Sequence, residues 1–240
     1  MKFKKLFAGV AAAATLLAGM AFGTGAANAA ETTVDTAATV TFKASKEKQL
    51  TSAQLSAYKI ADYVNYGTAK TPVYGVKTAA GANRTKLAAA LTAAGFQNVP
   101  IDGTTDLMAW AMNQKTTTDT DGTVTQVQFD QSETRPWNNP SVTRKFADAL
   151  QAGNPFTATA DPFVLNKATG NDTDGWTATN KTALTAGVYL FLDGNASTDT
   201  LTQAVPMIVS TGSVDAEGVL SLGDSTAEVD MKSTVSGTQT

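Results

Sequence analysis

The chain has no cysteine and no histidine among its 240 residues. Without cysteine there is no disulfide, no thiolate nucleophile and no thiolate metal ligand. Without histidine the commonest metal ligand is missing, along with the Ser-His-Asp and Cys-His arrangements and the usual proton shuttle near neutral pH. The two absences together argue against an ordinary hydrolase, and no cofactor is implied. Charge is also sparse: 18 Lys and Arg stand against 21 Asp and Glu, with no block of one sign. That balance gives no basis for nucleic acid or anionic membrane as a partner. Glycine is plentiful, yet no G-x-x-x-x-G-K-[ST] or G-x-G-x-x-G pattern follows a strand and opens a helix, so nucleotide binding has no support either.

The one long apolar run lies at the start. Lys2, Lys4 and Lys5 precede an apolar stretch from Leu6 to Phe22, and the small-residue triplet Ala27-Asn28-Ala29 follows. Basic, apolar and A-x-A segments in that order predict a secretory signal peptide over residues 1–29, and so a secreted or cell-surface protein that begins near Ala30. Its removal would take the formal net charge from −3 to about −6. No later segment is long and apolar enough to span a bilayer, so no membrane partner is expected after cleavage. About 210 residues then remain, enough to bury a substantial core.

Within 30–232 the pattern reads as a single domain. TVTFKA alternates, QLSAYKIADYV is rich in aromatic and β-branched residues, and PVYGVK follows a Gly-containing turn; polar KEKQ and YGTAKT separate these strands. Three helix-like segments come next, placing a helical insertion at about 83–152. In NRTKLAAALTAAGF, Leu87 and Leu91 share a stripe and Gly95 fits the stop. TTDLMAWAMNQ puts Leu107, Trp110 and Ala111 together. In NPSVTRKFADALQAG, Asn139 is the expected N-cap with Pro140 in the first turn, and Val142, Phe146 and Leu150 form the stripe. TDTDGTVTQVQF reads as a turn into a strand. From Phe156 onward DPFVLN, GWTATN, GVYLFLDG, AVPMIVST, GVLSLG and AEVDMK all read as β, and residues 233–240 as a disordered polar tail. Many short strands with polar turns predict a mainly β fold, a β-sandwich carrying its helices in one long connection.

Two Asp-rich turns, Asp119 to Gly122 and Asn171 to Gly175, look like pieces of a calcium loop, but neither completes one. In an EF-hand register the first ligand would fall on Thr117 or Gly170, and the bidentate Glu on Gln128 or Lys181. Ordinary turns, in which Asp and Gly serve backbone geometry, are the simpler reading. No carboxylate pair is singled out for glycoside hydrolysis. Trp137, Trp176 and Tyr66 are the aromatics that could meet a sugar or a protein surface, if they stand clear of the core.

LTAGVYLFLDG followed by AVPMIVSTG resembles the "L-x-x-G-x-Y-L" strand and following "P-x-x-V" strand of major shaft subunits in Gram-positive, sortase-assembled pili. LTSAQLSAYKIADY resembles the early F-x-A-Y-K-I strand of that family, SVTRKFADALQAG a helix of its N-terminal domain, and KLFAGVAAAATLLAGMAFG the signal peptides of actinobacterial members. The resemblance covers most of the chain from Ala30 and implies an Ig-like, CnaB-type sandwich. The function it implies is that of a structural pilus subunit supporting adhesion, with no catalytic turnover; its partners would be other pilin subunits and a sortase. The alternative is a stand-alone secreted module that binds a host glycan or matrix protein.

The family often gains strength from an internal bond between a lysine and an Asn or Asp, which requires a neutral amine beside the acceptor in an apolar pocket. Lys43 and Lys59 are the candidate lysines, Asp193, Asn195 or Asp230 the candidate acceptors, and Glu228 the candidate acid, although N-terminal domains of the family often lack the bond. The chain departs from the family in having no L-P-x-T-G sorting signal and no V-x-V-Y-P-K motif. AEVDMKST stands in the comparable place and makes Lys232 the positional candidate for the intersubunit linkage. The resemblance thus implies an N-terminal shaft domain without the rest.

Overall fold

The computed structural model describes residues 31–68, 70–71, 73–129, 141–195, 203–214, 220–221, 227–231 and 233–234. Among these, seven strands have four residues or more: β1 (Val40–Ala44), β2 (Leu55–Asn65), β3 (Tyr74–Thr78), β4 (Gly175–Thr179), β5 (Gly187–Asp193), β6 (Met207–Ser210) and β7 (Ala227–Asp230). Helices α1 (Glu47–Thr51), α2 (Arg84–Ala94), α3 (Leu107–Met112) and α4 (Val142–Ala152) complete the frame. The chain is mainly β, with several antiparallel sheets in an arrangement compatible with a β-sandwich.

Both faces of β5 are buried, and that decides the architecture. In GVYLFLD, Val188 and Leu190 point into one core while Tyr189 and Phe191 point into another. Such a strand cannot have a wet face, so it needs cover on both sides. It pairs antiparallel with β2 and β6, and the 32–33 segment and β3 add to β2, giving a five-stranded central sheet. On one side lies a four-stranded sheet, β7-β1-β4 and then Thr169–Asn171, in which β7 runs parallel to β1. On the other side lie α2, α3 and α4.

Between the sheets Phe42, Phe163 and Phe191 pack with ring centroids 5.0 to 5.9 Å apart. The Phe42–Phe191 pair meets edge to face at 86°, the geometry that ring quadrupoles favour. Under the helices Phe129 joins Phe96 and Phe146 at 4.9 and 5.2 Å. Leu87, Leu91, Leu107, Ala111, Phe146 and Leu150 all lie in this second core, as their helical spacing predicts.

The helix ends are set locally. The Asn83 side chain accepts from the Lys86 N–H, and Gly95 closes α2 in the left-handed region at φ 108°. Asp106 caps α3 through the Ala109 N–H and also accepts from the Thr78 N–H and hydroxyl, which fastens α3 to the edge strand β3. The cap of α4 is Ser141, whose hydroxyl accepts from the Arg144 N–H at 3.1 Å. This corrects the expectation of Asn139, which lies with Pro140 outside the described residues: a serine one residue before the helix satisfies the orphan N–H directly.

Three further expectations are corrected. KEKQ is not a plain separator but part of α1, closed by the Gln49 carboxamide accepting from the Lys46 N–H and burying Leu50. DPFVLN forms no strand. Its backbone bridges the sheets instead, with Phe163 N–H donating to the Leu55 carbonyl and Asn166 N–H to the Thr179 carbonyl. Ser233–Thr234, read from sequence as tail, pair antiparallel with Gln203–Ala204.

Candidate functional site

The charged side chains singled out from sequence fall into three separate places. Lys43 sits on β1 between the inward-facing Phe42 and Ala44, so it points away from the sandwich core. Its ammonium lies 2.6 Å from a Glu228 carboxylate oxygen, and both side chains are 36% exposed. Asp230 is the register neighbour of Lys43 on β7 and is also exposed. The parallel pairing of β1 and β7 therefore brings Lys43, Glu228 and Asp230 together, but on the wet face of the outer sheet. An exposed ion pair of this sort adds little stability, and the solvent-facing side of a sheet is not the apolar pocket that amide formation needs.

Asp193 and Asn195 lie at the far end of β5, where no lysine meets them in the described structure. The Asp193 carboxylate is buried and accepts from the backbone N–H groups of Gln54 (3.0 Å), Asn195 (3.0 Å) and Ala204 (2.9 Å). The Asn195 amide donates to the Ser52 carbonyl. This carboxylate ties three chain segments together, a role that places it among the structural groups of the fold. Lys232 lies outside the described residues.

Lys59 occupies a slot that a β-bulge creates. On a regular strand, residues i and i+3 face opposite sides. Here the ladder shifts between Val188 and Tyr189, which pair with Ala61 and Lys59 and leave Ile60 as the extra residue. The phase change puts Lys59 and Asp62 on one face, with the ammonium 2.5 Å from the carboxylate. The ammonium also donates to the Thr185 hydroxyl at 2.9 Å and stands 5.9 Å from the centroid of the Tyr189 ring. Only 13% of the Lys59 side chain is exposed.

Room for that lysine comes from Gly187, the glycine of the L-x-x-G-x-Y-L strand. A Cβ there would stand 2.4 Å from Lys59 Cε and 2.6 Å from the Ala61 carbonyl oxygen. Sequence reasoning flagged Lys59 but missed Asp62 and the function of Gly187. The signal was present in the lysine and the glycine, each anomalous inside a strongly apolar strand.

The Asp-rich turns use their side chains internally. In the first, Asp119 accepts from the backbone N–H groups of Asp121 and Thr123, and the hydrogen bond with Asp119 is the main cause holding the Asp121 carboxyl down at about 2. In the second, Asn171 accepts from Thr173 and Asp174 N–H, while Lys46 holds Asp172 below its ordinary range. Among the described residues no group of three or more acidic side chains converges as a metal site would require.

The Trp176 indole N–H donates to Asp172 while its ring packs against the sandwich core. Tyr66 lies across Gly75, and burial pushes its phenol up to about 12, with Glu31 and Asp106 adding to the effect. Trp137 lies outside the described residues. Comparison with models of known families, with curated proteins and with solved structures finds no match to this chain.

Proposed function

We propose that this chain is the N-terminal domain of a sortase-assembled pilus shaft protein, exported by its signal peptide and acting as a structural, adhesion-supporting unit with no catalytic turnover. On this reading the fold is an Ig-like sandwich of the CnaB type with its helices inserted between the early and late strands. The observation that carries it is the pairing of the two stretches in which the family resemblance resides. Leu55–Asn65 and Gly187–Asp193 are adjacent antiparallel partners at the centre of the buried sheet, and the glycine of L-x-x-G-x-Y-L makes room for the lysine of the A-Y-K-I strand.

A second feature suits a load-bearing unit. The first and last long strands, β1 and β7, lie side by side in parallel. Force applied along the two strands would shear their ladder bonds together instead of opening them one after another.

An immunoblot with antibody to residues 31–231 tests the reading. Muramidase-released cell wall and culture supernatant are boiled in SDS before separation. A ladder of SDS-resistant high-mass species is expected. A single band of monomer mass confined to the supernatant would overturn the reading.

A further inference from the structure

Among the described residues three large apolar side chains stand exposed: Ile101 at 92%, Val124 at 51% and Val164 at 43%. Isolated apolar residues on a surface are ordinary. Ile101 differs because the loop that carries it is fixed. Asp102 accepts from the Thr104 and Thr105 N–H groups, both at 2.7 Å, and from both threonine hydroxyls. Those bonds, led by the one from the Thr105 backbone, hold its carboxyl well below the usual range.

Arg84 donates to the Thr105 carbonyl at 2.6 Å and lies 3.6 Å from Asp102. At the other end Gln97 and Gln126 exchange two hydrogen bonds, and Val99 packs into the helix-side core. Both ends are thus anchored, and the side chain between them stands in water with no route back to its own core.

Val164 belongs to the complementary feature. It lines an open groove of about 700 Å³ between the 50–56 and 161–168 segments, with Leu55 and Leu165 among its apolar walls and both Lys167 and Asp161 among its polar ones. Lys167 has no ion-pair partner among the described residues. The groove has room for a branched aliphatic side chain. Its carboxylate, Asp161, accepts from the Ser56 hydroxyl, while the unpaired cation suits an acidic neighbour such as Asp102, whose side chain is 49% exposed.

The geometry points to a contact between copies of this chain, in which the Ile101 loop of one seats in the 50–56/161–168 groove of the next, with Asp102 facing Lys167. Seating removes Ile101 and Val164, two of the three exposed large apolar side chains, from water in one step. Knob and groove occupy different parts of one chain, so the contact is head-to-tail and each added copy leaves one of each free. The inference rests on the structural-subunit reading, to which it adds the non-covalent docking that would align neighbouring units.

Sedimentation equilibrium of the chain from Ala30 onward tests it. Weight-average mass is expected to rise above that of the monomer between roughly 10 µM and 1 mM. Ile101→Asp and Val164→Glu, both at exposed positions, are each expected to stay monomeric with an unchanged circular dichroism spectrum. Their equimolar mixture is expected to form a one-to-one dimer and nothing larger, because only one intact knob and one intact groove can meet. A wild-type chain monomeric throughout, or an Ile101→Asp chain that associates as wild type does, would overturn the proposal. A covalent ladder on cells together with a monomeric pure chain would refute the docking alone. Association in solution with no ladder would refute the pilus reading alone.

Discussion

Replacing Gly187 by alanine adds one methyl group where two atoms already stand. Lys59 Cε would be 2.4 Å away and the Ala61 carbonyl oxygen 2.6 Å away. The first obstacle is the end of a flexible side chain and can swing aside, though only by breaking the ion pair with Asp62 and the bond to Thr185. The second is backbone in the central ladder and can move only by distorting the pairing of β2 with β5. Gly187 has no left-handed backbone, so the whole cost is steric. Overpacking of this kind costs about 1–3 kcal/mol, and displacing a largely desolvated lysine from its carboxylate adds on the order of 1 kcal/mol.

We expect about 3 kcal/mol in urea unfolding and a fall in Tm of roughly 6–12 °C for a domain of this size. The same substitution in a Lys59→Ala background isolates the two parts. With the lysine gone, only the clash with the Ala61 carbonyl remains, so the cost should drop to about half and not to zero. A loss under about 0.5 kcal/mol in the Gly187→Ala protein would refute the packing argument. An identical cost in both backgrounds would refute the contact with Lys59.

Asp193→Ala leaves three backbone N–H groups without their acceptor, and about 3 kcal/mol should be lost in denaturant unfolding; a change within about 0.5 kcal/mol would sink the stapling role. Lys43→Ala, at an exposed ion pair, should shift stability by less than about 1 kcal/mol in the same assay, and the intact protein should have the mass expected without loss of water or ammonia at Lys43. Tyr63 is buried against Ser210 and the Gly212 carbonyl, and burial pushes its phenol up to about 12. Its folded pKa lies above the unfolded value of about 10, so its contribution is complete below pH 10 and is lost as pH rises from 10 through 12. Absorbance titration should show Tyr63 ionising only near pH 12 or together with unfolding, a late step that Tyr63→Phe removes; a Tyr63 that ionises near 10 in the folded chain would contradict its burial.

Much of the fold was legible in the sequence because periodicity reports burial. The alternation in TVTFKA predicts which of its residues face in, and Val40, Phe42 and Ala44 are the buried ones. The helix stripes placed Leu87, Leu91, Phe146 and Leu150 in one core for the same reason. What periodicity does not carry is a change of phase. Nothing in LSAYKIADYVN announces that Ile60 is an extra residue, because the bulge exists only in relation to Val188 and Tyr189 on the partner strand.

Lys59 and Asp62 therefore read from sequence as residues on opposite faces and meet only in the fold. Similarly, DPFVLN has strand composition, yet its carbonyls and N–H groups are divided between Leu55 on one sheet and, on the other side, Thr179 at the end of β4 with Lys181 and Thr182 just beyond it, so it joins neither ladder. Among the candidate site residues, sequence left Lys43 and Lys59 unassigned among Asp193, Asn195, Asp230 and Glu228, and only the parallel pairing of β1 with β7 makes Lys43 the neighbour of Glu228 and Asp230. Nor did sequence indicate the face, which depends on the register that sets Phe42 inward.

A chain without disulfides must restrain its long connections some other way, and the described hydrogen bonds indicate how. Asp193 draws together the entry to β2, its own turn and the approach to β6, segments far apart in sequence. Asp106 fixes the first helical turn of α3 to β3, and the Asn180 side chain, accepting from the Val40 N–H while donating to the Thr182 carbonyl, holds the start of β1 against the end of β4. Each such polar staple is worth on the order of 1–3 kcal/mol, mostly as the penalty for leaving buried backbone groups unpaired. A disulfide concentrates a similar effect in one bond between two points and disappears on reduction. Here the restraint is distributed over several loops. No reductant would release it, and the loss of any one staple would loosen one loop while leaving both aromatic cores packed. Stability in this chain should accordingly respond to burial and to carboxylate or amide substitutions at those loop anchors far more than to redox conditions.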